Sequence, residues 1–317
     1  MVSRSRRVRV TVVFMVNTDS VLVSSFPSAT VDGGYDGSYT RRMARSYGSK
    51  WDALRGHVRP GVRVLDFGCG MPENVRLLRD LVEGAGGMYY CHDAHPDVEG
   101  AMRADGGFRH VSADRLGEYV GTFDVVFMSS VVHEMLTPSC APGAVANAAL
   151  FELIGRLVSP SGCIVVRDWA DYAAGAQDGS LLASLGLVDE SASREVVQWV
   201  SAMENNGVIR EGAVAVSRSS GGWVLAGERE SVCEVFLHAV WGLSSIDRES
   251  RERYCSAAFG SPGGFMQWFY VERGFAVEGC NVFYDEGFAR HGARLFRLGG
   301  VLPCATKAVT VLRKGVR

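Results

Sequence analysis

Val62-Arg63-Val64-Leu65-Asp66-Phe67-Gly68-Cys69-Gly70-Met71-Pro72-Glu73-Asn74 decides the fold. Its apolar, alternating first half suits a pleated, half-buried strand. Two glycines follow Asp66, and then an apolar helical period runs through Val75, Leu77, Leu78, Leu81 and Val82. Pro72 fits the first position of that helix, where a backbone N–H has no partner to lose. Glycines at 68 and 70 leave no Cβ between the backbone and whatever binds at the strand's carboxyl end. A strand, a glycine turn and a helix N-terminus together predict a nucleotide-cofactor site.

A dinucleotide fingerprint would read G-x-G-x-x-G, but position 73 holds glutamate, a poor neighbour for a pyrophosphate. With no second glycine-rich fingerprint, a dinucleotide oxidoreductase is disfavoured. The string resembles motif I of the class I S-adenosylmethionine-dependent methyltransferases, V-L-D-x-G-C-G, lacking that motif's usual third glycine. The resemblance implies an α/β, Rossmann-like seven-stranded sheet, mostly parallel with the last strand antiparallel and helices on both faces. It implies S-adenosyl-L-methionine as cofactor, with Asp66, Gly68, Cys69 and Gly70 around its methionine part.

Further landmarks follow in the family's order. Residues 88–93 read as a second strand ending in Asp93, 23 residues beyond Gly70. A carboxylate there accepts hydrogen bonds from both ribose hydroxyls; Ala94 and His95 would flank the adenosine. Residues 107–111 read as a third strand, followed by Asp114, which the resemblance sets against the adenine amino group and which fits a turn cap equally well. Residues 123–130 match motif IV, a continuous apolar run of the buried parallel kind, with Ser129 at its cofactor end. Residues 157–168 carry the L-x-P-G-G-like turn, with Ser161 for a glycine, and a fifth strand. Residues 274–280 and 306–314 supply the sixth and seventh. The resemblance covers residues 35–172 and returns over 264–314.

Methyl transfer from a sulfonium needs alignment and an acceptor lone pair. An oxygen acceptor also benefits from a base near neutral pKa, which suits histidine. His133, just past the fourth strand with Glu134 beside it, is the candidate base or substrate-positioning group. Asp168, at the end of the fifth strand, is the next. The strand-then-histidine outline is similar to messenger-RNA cap guanine-N7 methyltransferases, but Glu134 stands where an aromatic usually follows. The expected partner is therefore a methyl acceptor, either capped RNA or a small molecule; a cofactor-binding scaffold without turnover is a further alternative. The arginine-rich style is also similar to methyltransferases of some fungal double-stranded RNA viruses, a likeness that no single motif carries.

Residues 1–34 read as a β-hairpin, 9–16 with 21–26, and a linker, preceding a methyltransferase domain over 35–317. A segment of about 173–263 exceeds what a strand crossover needs and reads as an inserted substrate lid. Its helical patterns fall at 194–205 and 230–241, with a hairpin at 208–216 and 222–226. Trp199, Trp223, Phe236, Trp241, Phe265, Trp268 and Phe269 could stack on a ring, or form a core.

A chain of 317 residues at net charge −2 has the size for one large core plus an insertion and no global field for nucleic acid. No C-x-x-C pair and no cysteine–histidine spacing fits zinc, so no metal is expected. Scattered cysteines imply reduced thiols and a cytoplasmic setting, and no run of about 18 apolar residues predicts a membrane span.

Overall fold

The structure is a computed structural model and describes residues 47–136, 143–170, 182–254, 261–283, 286–298 and 306–315. The expected N-terminal hairpin and its linker lie outside the described residues. The described chain enters through α1 (Tyr47–Leu54) and then alternates β1 (Arg63–Phe67), α2 (Pro72–Gly84), β2 (Met88–His92), α3 (Pro96–Asp105), β3 (Arg109–His110) and β4 (Phe123–Ser129). Helices α4 (Val132–Leu136) and α5 (Gly143–Leu157) lead into β5 (Val158–Trp169). Such alternation builds a parallel sheet with helices on both faces. β1 pairs in parallel with β2 and β4; β3 adds beside β2, and β5 beside β4.

Burial on both faces explains the apolar runs. Leu65, Val126, Met128, Ile164 and Val166 enter one core with Phe151 and Ile154 of α5. Their neighbours Val64, Val125, Phe127, Cys163 and Val165 enter the other with Val75, Leu78 and Val82 of α2. The alternation is the two-residue period of a strand whose faces are both covered.

The insertion begins after β5 with β6 (Leu182–Gly186), α6 (Glu190–Asn205), β7 (Val214–Ser219), β8 (Gly222–Glu228), α7 (Arg229–Ala239) and the short α8 (Ile246–Glu249). β8 is central and antiparallel to both β6 and β7. Asp189 caps α6, its side chain accepting the Ala192 N–H at 2.8 Å. Trp199, Leu225 and Phe236 form the heart of a separate core.

The chain then returns to the first sheet through α9 (Pro262–Val271), β9 (Phe275–Phe283), α10 (Glu286–Gly292) and β10 (Lys307–Lys314). β10 lies between β5 and β9 and is antiparallel to both. The order β3-β2-β1-β4-β5-β10-β9, with β10 alone reversed, is the Rossmann-like methyltransferase sheet that the motifs imply.

Several details differ from expectation. The hairpin lies at β7 and β8 rather than starting at residue 208; Val208 and Ile209 are buried beside α6 instead. Strand β6 was not foreseen, nor was the return of residues 286–298, whose Phe288, Leu295 and Phe296 complete the insertion's core. Trp199 and Phe236 fill that core, while Phe265 and Phe269 fill the core of the main sheet, so none of the four is open for stacking. Among the described residues no helix is long and apolar enough to cross a membrane.

Candidate active site

The glycine turn is shaped by two constraints. Gly68 has φ +75°, and a Cβ there would come within 2.5 Å of Val131 Cγ2, so nothing larger fits. Gly70 has φ +73°, but a Cβ there would meet only the Asn74 amide at 3.6 Å, which leaves the turn open in front. Both Gly68 and Cys69 donate N–H groups to His92 O, at 2.8 and 3.1 Å. Gly70 N–H donates to Asp93 Oδ2 at 2.8 Å, and His95 N–H to Asp93 Oδ1 at 2.9 Å. The tip of β2 is thereby tied to the turn after β1, with a half-buried carboxylate between them.

Two expected cofactor residues turn inward instead. Asp66 is buried beneath the turn, accepting the Tyr89 hydroxyl at 2.5 Å. Burial pushes its carboxyl up, against the opposing charge of Lys50, and burial likewise pushes the Lys50 amine down. Ser129 accepts from the buried Arg167 guanidinium at 3.3 Å, and that guanidinium also donates to Ser49 Oγ at 2.6 Å. Asp114 stands exposed in the first turn of the 3₁₀ helix Ala113–Tyr119, where the Ser112 hydroxyl holds its carboxyl below the ordinary value. Ala94 is exposed between Asp93 and His95.

The other end of the site is built at the tips of β4 and β5. Ser130 has φ +57°, the one positive φ outside glycine among the described residues. Such a conformation costs about 1–3 kcal/mol and persists only when its surroundings hold it. Here Ser130 N–H donates to Arg167 O at 2.8 Å, and its hydroxyl accepts from Lys307 Nζ at 3.1 Å. The kink turns the N–H groups of Val132 and His133 onto Asp168 Oδ2, at 2.9 and 3.2 Å. Asp168 Oδ1 accepts the Trp169 N–H at 2.8 Å and faces His133 Nδ1 at 2.7 Å.

On the far side of the ring, His133 Nε2 lies 3.7 Å from Glu252 Oε2 of the insertion. Glu252 is fixed by its own backbone: its N–H donates to Glu249 O at 3.1 Å, and its carbonyl faces His238 Nε2 at 3.0 Å. Tyr254 stacks on Trp169 with ring centroids 4.1 Å apart and on His238 at 3.9 Å. Its hydroxyl donates to Glu249 Oε2 at 2.5 Å and accepts from Trp241 Nε1 at 2.8 Å. Lys307 Nζ sits 3.5 Å from the Trp169 ring centroid, a cation–π contact.

The electrostatics follow from this crowding. Burial alone would raise Asp168, but the charge and hydrogen bond of His133, together with Lys307, hold it at about 2. Burial alone would lower His133; the flanking Asp168 and Glu252 outweigh it and push the ring up to about 10. Burial, aided by the charge of Glu252, pushes Glu134 up to about 8. Asp93 contributes to that rise, so the two ends of the site feel each other. His133, Glu134 and Glu252 bring candidate metal-donor atoms within 4.8 Å of one another.

The structure thus gathers Gly68, Cys69, Gly70, Asp93, His133, Glu134 and Asp168 at the carboxyl ends of β1, β2, β4 and β5. Ser130, Glu252, Tyr254 and Lys307 were missed by sequence reading. Glu252 lies 119 residues from His133 in the chain, with no motif around it.

No protein-family model and no curated protein sequence matches the chain. Similar solved structures include an S-adenosylmethionine-dependent methyltransferase from Mesorhizobium loti, at 16% identity over 84% of this chain and 98% of that one, with TM-score 0.46. A SAM-dependent methyltransferase from Archaeoglobus fulgidus is 12% identical over 86% and 94%, with TM-score 0.45. Another, from Methanosarcina mazei, is 10% identical over 83% and 97%, with TM-score 0.42. Likeness at this level carries no weight of its own beside the strand order and the geometry of the two ends.

Proposed function

We propose that the chain is an S-adenosylmethionine-dependent methyltransferase acting on an oxygen or nitrogen of a small molecule. The observation that carries this reading is the Gly70–Asp93 hydrogen bond, which fixes a carboxylate at the tip of β2 beside a turn that is open in front. The residues fit the cofactor. Each Asp93 oxygen takes one backbone N–H and keeps acceptor capacity, enough for one ribose hydroxyl apiece. When bound, S-adenosylmethionine supplies a methyl group on a sulfonium, open to in-line attack by a lone pair.

The chain's own part is to hold and align. Asp168 orients the His133 ring through Nδ1 and leaves Nε2 facing the acceptor end. Flanked by Asp168 and Glu252, the ring is better placed to orient an acceptor than to remove the acceptor's proton. Glu252 and Tyr254, brought over His133 by the insertion, narrow the acceptor end and favour a small acceptor. Capped RNA gains less support. Arg76, Arg79, Arg103, Arg109 and Arg115 lie against Asp105, Asp80, Glu99, Glu83 and Glu118, pairings that compete with any phosphate for those cations.

Calorimetry of the full chain with S-adenosylmethionine, and with its demethylated product, tests the reading. Asp93→Ala should weaken binding by ~1–3 kcal/mol, or about 5- to 150-fold, through loss of charge-assisted hydrogen bonds. Wild-type protein that takes up neither compound would refute the proposal. Uptake without label transfer to any member of a metabolite pool would leave a binding scaffold and remove the enzyme.

A further inference from the structure

Three carboxylates converge on one imidazole at the acceptor end. Asp168 lies behind the ring, hydrogen-bonded to Nδ1 and balanced by Lys307. In front, Glu134 from the motif and Glu252 from the insertion approach the Nε2 side. Among the described residues no arginine or lysine forms an ion pair with either of these two; the neighbouring Arg248 is taken up by Glu249. Two acidic side chains are therefore held, partly buried, with carboxylate oxygens within 4.8 Å of a ring nitrogen of His133.

We propose that His133 Nε2, Glu134 and Glu252 form a binding site for one divalent transition-metal ion of the zinc or manganese type. Three features converge on this. The donor set, one imidazole and two carboxylates, suits zinc and manganese better than magnesium, which prefers oxygen ligands and retained water. The His133–Asp168 hydrogen bond is the carboxylate–histidine pairing that fixes which ring nitrogen faces a metal. The spacing is close: bonds of about 2.0–2.2 Å at a tetrahedral ion put donors ~3.3–3.6 Å apart. Nε2 and Glu252 Oε2 stand at 3.7 Å, and all three donors lie within 4.8 Å of one another. A side-chain rotation at Glu134 or Glu252 covers the remainder, and the incoming ion displaces the Nε2 proton, which leaves to solvent.

Three protein ligands leave a position open, as in catalytic rather than structural sites. At that position an ion held there would take an acceptor oxygen and favour its deprotonated form. The acceptor class that follows is a small molecule with an ionisable hydroxyl, phenolic or enolic. This last step rests on the methyltransferase reading; the metal site does not. It also means that the insertion supplies a ligand, and that without Glu252 the motif alone would offer only two.

The test uses full-length, tag-free protein stripped with a chelator and titrated with Zn²⁺, Mn²⁺ and Mg²⁺ by calorimetry. One equivalent of Zn²⁺ or Mn²⁺ should bind with Kd below about 10 μM. Glu252→Gln and Glu134→Gln should each weaken it at least about tenfold, while the cofactor variant Asp93→Ala keeps it. Cobalt substitution of the wild type gives a second readout that needs no variant. Visible bands without a sulfur-to-cobalt charge-transfer transition support this nitrogen–oxygen site, whereas a sulfur band assigns the metal to cysteine and overturns it. Absence of stoichiometric binding, or wild-type affinity in both glutamine variants, also overturns it. S-adenosylmethionine binding is measured on the same samples, so a protein that takes the cofactor but no metal sinks this inference alone.

Discussion

The main sheet and the insertion meet at Trp169 and Tyr254 but are held together differently. In the sheet, most parallel strands pair with strands reached through short crossovers, and the faces are covered mostly by helices close in sequence, with α9 returning from beyond the insertion. In the insertion, antiparallel strands and two helices close over a core that needs residues 286–298, delivered from between two strands of the other sheet. One region is assembled mostly from neighbours, the other mostly from distant pieces. The acceptor end inherits both, since His133 and Asp168 stand on the first while Glu252 comes from the second. On the proposed function, what would hold the cofactor is thus local, and what would select the acceptor depends on long-range assembly.

Substitutions can break that contrast. The largest effect is expected from Phe236→Ala, at the centre of the insertion's core, which should cost ~3–5 kcal/mol. Hydrogen exchange should then rise through α6 and α7 and leave β1 and β4 protected. Equal loss of protection in both regions would show that they unfold as one unit. Next comes Gly68→Ala, which adds a left-handed backbone penalty of ~1–2 kcal/mol to overpacking of ~1–3 kcal/mol against Val131. Cofactor binding should vanish in calorimetry while α6 and α7 keep their exchange protection. A Gly68→Ala protein with unchanged melting temperature and affinity would contradict the geometry of the turn. Smallest is Asp189→Ala, which removes the cap of α6 and should cost about 1 kcal/mol in chemical denaturation. Cofactor affinity should not move; if it does, the two regions are more tightly coupled than their separate cores suggest.

The same contrast explains what could be read in the chain. Strands β1, β4 and β5 fall within a residue or two of their expected limits, because two-sided burial writes an apolar run into each of them, whereas the mostly exposed β9 runs three residues past its expected end. Helices α6 and α7 were legible from their period, but β6 was not, because its partner β8 is 40 residues away and leaves no local trace. In the site, Gly68, Gly70, Asp93 and His133 announce themselves through motif spacing. Asp66 and Ser129 sit in the same motifs, yet alternation along their strands turns their side chains to Tyr89 and Arg167. Ser130 carries the strained backbone that aims His133 and looks in sequence like any serine. Glu252 could not be picked from the acidic residues around it without knowing that Glu249 and His238 would anchor its backbone.

The placement of the lysines has a practical consequence. The chain has only Lys50, Lys307 and Lys314. Lys50 and Lys307 are buried, and the Lys314 amine is taken by the carbonyls of Gly155 and Val158, at 3.1 and 2.8 Å. The accessible cations of the described surface are arginines. A lysine-specific protease should therefore spare the bond after Lys307 until the sheet opens, so that cleavage there times the sheet's unfolding without any spectroscopic probe.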